Sequence, residues 1–192
     1  TQTDRENTQA RIQTETGAIF IHPYNNFNVI CGQGTASLEL LEGVSNLEVV
    51  IAPIGGGGLL SGTCTYVKGF NPHIKVYGAE PANADDAFRS LRDKTIYPSV
   101  SPKTIADGLL TSLCELTYGI ISTKCDGILT VSERGIVDAM RLIWERMKII
   151  IEPSSAVPIA AIMEHPQYFK GKRVGVIISG GNVDLENLPF GK

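Results

Sequence analysis

No apolar run in this 192-residue chain reaches the roughly 18 residues that a membrane-spanning helix needs. The opening stretch, TQTDRENTQARIQTE, has neither the basic start nor the apolar core of a secretory signal. It also lacks an initiator Met, so residues are expected upstream. Neither charge sign dominates. With 17 Lys+Arg scattered among 20 Asp+Glu, for a net charge of -3, no basic surface is available for a phosphodiester backbone, and nucleic acid is excluded as a partner. The four cysteines, Cys31, Cys64, Cys114 and Cys125, form no CxxC or Cys/His metal spacing, and they read as reduced thiols of a cytoplasmic protein. Repeats, heptads and low-complexity tracts are missing. What remains is a globular composition, 43% hydrophobic, of a length that suits one domain, or one domain and part of another.

Apolar, Gly-rich segments alternate with helical ones, the pattern of an α/β fold with an open, mostly parallel sheet and flanking helices. Helices are expected at residues 4–16, capped by Asp4 and ended by Gly17, and at 34–41, 59–70 and 154–163. Strands are expected at residues 18–22, 47–54, 74–79 and 173–178, with a loop of turn-formers at 23–28 and an irregular charged stretch at 82–102. Ser132 caps the longest helix, whose buried face is read as Ile136, Met140, Ile143, Met147 and Ile150, with Trp144 also a core residue.

The strongest chemical signal is VVIAPIGGGGLLSG. A buried strand runs into Gly55, Gly56, Gly57 and Gly58, and a helix follows at once. Four glycines let backbone N–H groups converge without side chains in the way, and a helix N-terminus adds positive potential, so an anion of phosphate size is well served. A P-loop would need GK[ST] where Gly58-Leu59-Leu60 stands, and a dinucleotide fingerprint would need a GxGxxG spacing that these glycines do not give. Glu80, at a strand end about 20 residues on, does imitate a ribose-binding acid, and a nicotinamide oxidoreductase domain is the alternative from another class. A non-catalytic interaction module is a third reading. The second signal is RVGVIISGGNVD, where a strand delivers Ser179 to its C-terminal end, the ligand-binding end of open α/β sheets.

Seven segments in order carry a family resemblance: GQGT at 32–35, PIGGGGLLSG at 53–62, AEPANADD at 79–86, TIADG at 104–108, WERMK at 144–148, EPS at 152–154 and SGGNVD at 179–184. The chain resembles the serine racemase and serine/threonine dehydratase branch of the fold-type-II pyridoxal-phosphate enzymes, which have the tryptophan-synthase-β-like fold. That resemblance implies that Gly55, Gly56, Gly57, Gly58 and Leu59 hold the phosphate of pyridoxal 5'-phosphate, and that Ser179 bonds its ring nitrogen. A serine hydroxyl, unlike a carboxylate, does not stabilise a protonated ring, and the cofactor is a milder electron sink. Glu152 would support the ring from behind; from the residues alone it reads equally as an acid at a helix N-terminus. The resemblance implies a divalent cation, Mg²⁺ or Ca²⁺ with Mn²⁺ as a further candidate, on Glu80, Asp86 and the carbonyl of Ala84. Hard oxygens suit such ions, although spacing alone gives a solvated acidic loop. It implies ATP as an activator near Lys148 and Asn182, with Arg146 beside them, and a homodimer acting on a small amino acid. Asp107 would order a loop over the substrate. Tyr24 and Leu59 depart from some racemases, which have Asn and Met there.

The family's Schiff-base lysine lies in an FKxRGA-like motif before an SSGNH-like loop, and neither occurs among these residues. The nine lysines sit in other contexts. The chain thus matches the C-terminal part of such an enzyme, with residues 1–22 ending a small domain and residues 23–192 forming much of the large one. No catalytic residue is assigned to it, and alone it is expected to be inactive. The implied reaction is interconversion of L- and D-serine with accompanying β-elimination of serine or threonine to a 2-oxo acid and ammonia. The alternative is a threonine/serine or 3-hydroxyaspartate dehydratase. With only eight residues after Asp184, no ACT-like regulatory domain is expected.

Overall fold

The computed structural model describes residues 2–191. The unbroken apolar run VVIAP becomes strand β1, Val49–Pro53, buried along its whole length as a strand covered on both faces must be. β1 pairs in parallel with β2, Lys75–Pro81, on one side and with β4, Val174–Val176, on the other, in registers Val49↔Lys75 and Val49↔Val174. β3, Gly127–Val131, extends the sheet beyond β2, giving the order β3-β2-β1-β4. The chain therefore leaves β1 in one direction along the sheet and returns to its other side at the end. Parallel sheets open a crevice at such a reversal, beyond the C-terminal ends of the strands.

Alternate residues of the strands serve two helical layers. Val49, Ile51, Ala79, Leu129 and Val131 pack with helices α6, Glu133–Met147, and α7, Pro153–Glu164, and with Phe169 of the short α8, Pro166–Phe169. Val50, Ala52, Ile54, Val76 and Ile128 pack with α2, Phe27–Gly43, α3, Gly58–Phe70, and α5, Glu115–Lys124. Helices α2 and α3 meet at Gly34 and Gly62; a Cβ on Gly62 would stand 2.5 Å from both Gly34 N and Ile30 O. The first helix, α1, Gln2–Thr16, adds no residue to either cluster among the described residues.

Several expectations need correction. Residues 18–22 form no strand: they join no ladder, and Ile19, Phe20 and Ile21 are exposed. Asp4 lies inside the first turn of α1 and does not cap it, while Gly17, at φ +69°, does end the helix, its N–H bonded to Gln13 O. α2 starts seven residues before the expected 34 because Asn26 in the presumed loop caps it, its Oδ1 accepting from Asn28 N and Val29 N at 2.9 and 3.3 Å. The charged stretch 82–102 contains α4, Asp86–Asp93. α5 and β3 had no expected counterpart. Ser132 does cap α6, accepting from Gly135 N at 3.0 Å. That helix, however, stops at Met147, where Lys148 turns left-handed at φ 59°, so Met147 and Ile150 are 53% and 56% exposed while Ile136, Met140 and Ile143 are buried. Trp144 is half-buried and donates from Nε1 to Ile151 O at 2.9 Å.

Asp126 ties the N-terminal end of the sheet together. Its carboxylate accepts from Lys68 Nζ of α3 at 2.6 Å, Lys75 Nζ of β2 at 2.7 Å and Val76 N at 2.8 Å. Burial pushes this acid up, but the bonds from Lys68, Lys75 and Val76 outweigh it and hold it below the usual carboxylate range. Asp126→Ala is expected to destabilise the fold by about 2–3 kcal/mol in denaturant titration, since it leaves Lys68, itself largely buried, without its anion.

Candidate functional site

At the C-terminal end of β1 the chain passes through Gly55, Gly56 and Gly57 and enters α3 at Gly58. The turn is gripped from two sides. A Cβ on Gly56 would meet the Tyr24 ring at 2.4 Å, and one on Gly58 would meet Tyr24 Cβ at 2.9 Å. On the opposite side, a Cβ on Gly57 would touch Leu113, Ile121 and Thr117 at 2.8–2.9 Å, and Gly57 stands at φ +86°, where L side chains are strained. The first helical bond recorded outside the body of α3 is Ser61 N to Gly57 O, leaving the earlier amides of that turn beyond the helical ladder. The sequence thus builds a turn that only glycine can occupy, with a helix N-terminus behind it.

β4 lies beside β1, and its extension brings Ser179 to the same end of the sheet. Gly55, Gly56, Gly57, Gly58, Leu59 and Ser179 all line one cavity of 420 Å³, within the ~300–1,000 Å³ range of small-molecule sites. The residues picked out on separate strands by sequence are therefore neighbours here. The glycine cradle suits a phosphate group and Ser179 offers a neutral hydroxyl, so the residues present fit pyridoxal phosphate. Asp107 and Glu152 line the same cavity. Glu152 is more than a helix-terminal acid: its Oε2 accepts from Asn182 N at 2.9 Å, bracing the SGGN turn. Among the described residues no lysine lines the cavity.

Sequence reasoning missed three contributors. Arg5 of α1 and Thr111 both line the cavity. Ser155, fully buried, bonds the Ser179-Gly180 turn from behind. The first two sit in segments with no motif. Ser155 directly follows the EPS match and could have been found by asking what holds the loop opposite it.

Glu80 and Asp86 come together at the next strand end, both 2% exposed. Glu80 accepts from Phe88 N at 2.6 Å and Ala87 N at 3.3 Å, which commits it to α4 and removes the ribose contact of the dinucleotide alternative. Burial pushes its carboxyl up to about 9, against the pull of the Phe88 bond. Burial likewise raises Asp86 to about 6. Asp86 Oδ2 and Ser99 Oγ are both buried without a well-aligned hydrogen bond, and the Ser99 hydroxyl pulls the Asp86 carboxyl down against its burial. Two buried acids beside the Ala84 turn supply the hard oxygens that such a cation prefers, although no cluster of three His, Cys, Asp or Glu side chains forms among the described residues. Lys148 lines a different cavity with Arg141, Trp144, Glu145 and Phe190; Asn182 and Arg146 are exposed and do not line it. Among the described residues no helix is long and apolar enough to cross a membrane, and all four cysteines are unpaired.

Comparison with known proteins agrees with this geometry. The family model described as pyridoxal-phosphate dependent enzyme matches residues 1–180. A beta-hydroxyaspartate dehydratase from Paracoccus denitrificans is 52% identical over 97% of this chain and 59% of its own length. A serine racemase from Dictyostelium discoideum is 54% identical over 96% of this chain and 58% of its own length. The crystal structure of serine racemase from that organism superposes with a TM-score of 0.87, covering 95% of this chain and 60% of the other. The chain thus spans less than two thirds of the relatives it matches. Its glycine cradle and facing serine, on adjoining strands of a parallel sheet, are where that match is read in three dimensions: the chain belongs to the pyridoxal-phosphate-dependent enzymes.

Proposed function

We propose that the chain is the C-terminal part of a serine racemase that also eliminates water from serine or threonine, giving a 2-oxo acid and ammonia. The observation that carries this reading is the convergence of the glycine turn and Ser179 on one cavity. Residues 1–22 would end the small domain and residues 23–192 would form the C-terminal part of the large one. When bound, pyridoxal phosphate supplies an electron sink that acidifies the Cα–H of an attached amino acid. This chain's residues bind and orient. The amides of Gly55, Gly56, Gly57, Gly58 and Leu59 would hold the phosphate, helped by the α3 N-terminus. Ser179 would bond the ring nitrogen, and Glu152 fixes the turn that carries Ser179. Tyr24 walls the glycine turn and excludes water from that side.

A second reading, dehydration of 3-hydroxyaspartate, is favoured by Arg5, a cation among the cavity-lining residues that would suit a carboxylate beyond the one every amino acid has. The same proposal extends to Mg²⁺, Ca²⁺ or Mn²⁺ on Glu80, Asp86 and the Ala84 carbonyl. ATP as an activator near Lys148 and Asn182 rests on the family resemblance. A cytoplasmic homodimer is supported by the unpaired thiols and by the exposed apolar residues Leu142, Met147 and Ile150.

The test is to express the intact protein, upstream half included, and assay L-serine, L-threonine and 3-hydroxyaspartate in parallel. D-serine together with pyruvate is the expected result from L-serine. Faster turnover of hydroxyaspartate would favour the second reading. Pyridoxal phosphate, and not NAD, should raise the melting temperature. No product from any of the three, with no thermal response to the cofactor, would overturn both readings.

A further inference from the structure

Behind the cavity wall, the hydroxyl of Ser155 makes three contacts with the turn that carries Ser179. Gly180 N donates to Ser155 Oγ at 2.7 Å, Ser155 Oγ donates to Gly180 O at 2.7 Å, and the hydroxyls of Ser155 and Ser179 stand 3.1 Å apart. A serine hydroxyl has one proton and two lone pairs. Gly180 N–H takes one lone pair. The Ser155 proton has two acceptors in reach, Gly180 O and Ser179 Oγ. Directed at Ser179, it leaves the single proton of Ser179 free for an acceptor in the cavity. Ser155 itself is fully buried, while Ser179 is exposed to the cavity. Glu152 N donates to the same Gly180 carbonyl at 3.1 Å, so both backbone groups of Gly180 are held from the α7 side.

We propose that Ser155 is a positioning residue for the cofactor ring: one buried hydroxyl fixes both the backbone and the side chain of the turn that sets Ser179 against the ring nitrogen. The inference rests on the proposed role of Ser179. Ser155 touches neither cofactor nor substrate and acts only through its neighbour. Without it Gly180 N–H loses its acceptor and the Ser179 side chain is free to rotate, so an atom that should be preorganised must be ordered each time the cofactor binds.

The test is a double-mutant cycle on the intact apoprotein, read as the dissociation constant for pyridoxal phosphate and as the ¹⁵N shift of the bound cofactor's labelled ring nitrogen. Ser155→Ala and Ser179→Ala are each expected to weaken binding ~10-fold, the loss of one well-placed hydrogen bond, and to move the ring signal. The double variant should be no weaker than Ser179→Ala, because Ser155 has nothing left to position. Ser155→Thr, which keeps the hydroxyl, should restore both readouts. Ser155→Cys keeps the side-chain shape but accepts hydrogen bonds poorly, and serves if the alanine variant does not fold. Additive losses, or a Ser155→Ala protein with unchanged affinity and ring signal, would overturn the proposal. If Ser179→Ala moves neither readout, the assignment of Ser179 fails, and this inference with it. Failure of the unaltered protein to bind the cofactor would instead sink the proposed function.

Discussion

Gly57→Ala is expected to abolish cofactor binding and to destabilise the protein by about 3 kcal/mol, the sum of left-handed strain and forced overpacking. Both contributions are visible at one atom. At φ +86° an L-residue is strained, and its Cβ would press on Leu113, Ile121 and Thr117 at 2.8–2.9 Å. These belong to the packed layer around α5, so the new methyl cannot be relieved by rotating one flexible side chain. The turn must instead move outward, into the cavity where the phosphate is proposed to sit. Denaturant titration gives the stability loss, and cofactor titration gives the binding loss. A control sits far from the cavity: Gly69, where an added Cβ meets nothing within 4 Å, should accept alanine without either effect. A Gly57→Ala protein that binds pyridoxal phosphate normally would mean that this turn is not the phosphate site.

The second large effect concerns pH and cations. In a chelator, the melting temperature is expected to fall as the pH rises from about 5 towards 9, chiefly through Glu80. Burial raises the Glu80 carboxyl from its ordinary 4.5 to about 9, so in the window between those values the folded chain holds a proton that the unfolded chain has released. The associated stability is fully present below the unfolded value and is lost as the pH climbs through the folded one. Asp86, raised from 3.8 to about 6, adds a smaller loss in the lower part of the window. A divalent cation requires ionised carboxylates, so Mg²⁺ or Ca²⁺ should restore the melting temperature, and do so most at high pH. Calorimetry across a pH series, with chelator and with each metal, measures both slopes. Glu80→Gln keeps an oxygen for the amide of Phe88, gives up the longer bond from Ala87, and should flatten the pH dependence. A melting temperature indifferent to pH and to both metals would count against the cation site.

The fold was legible where one signal acts alone. The buried run of β1, the glycine turn and the Ser132 cap each follow from local chemistry, and each stands where the sequence puts it, within a few residues. Failures came where a local rule met a tertiary fact. Residues 18–22 have strand composition, but they pair with no strand among the described residues, and composition without a pairing partner makes no strand. The helical spacing of Ile136, Met140 and Ile143 continues on paper through Met147 to Ile150, yet Lys148 breaks the backbone, and the last two face outward. Asn26 read as a loop former when it was a cap. In the site, the glycines and Ser179 were legible because their residue types are unusual in that setting. Arg5 and Ser155 were not, since an arginine in a polar helix and a serine in a small-residue helix are unremarkable until the fold shows what they face.

The two anchors of the cavity come from strands that touch in space but lie more than a hundred residues apart in the chain. Gly57 is in place once β1 and α3 have formed, whereas Ser179 arrives only when β4 adds to the free side of β1. Such long-range pairings are closed late in folding, after the more local ones have offset the loop entropy. On the proposed assignment of these two anchors, capture of vitamin B6 would wait for that last strand, and a chain stalled before it docks is expected not to sequester the vitamin.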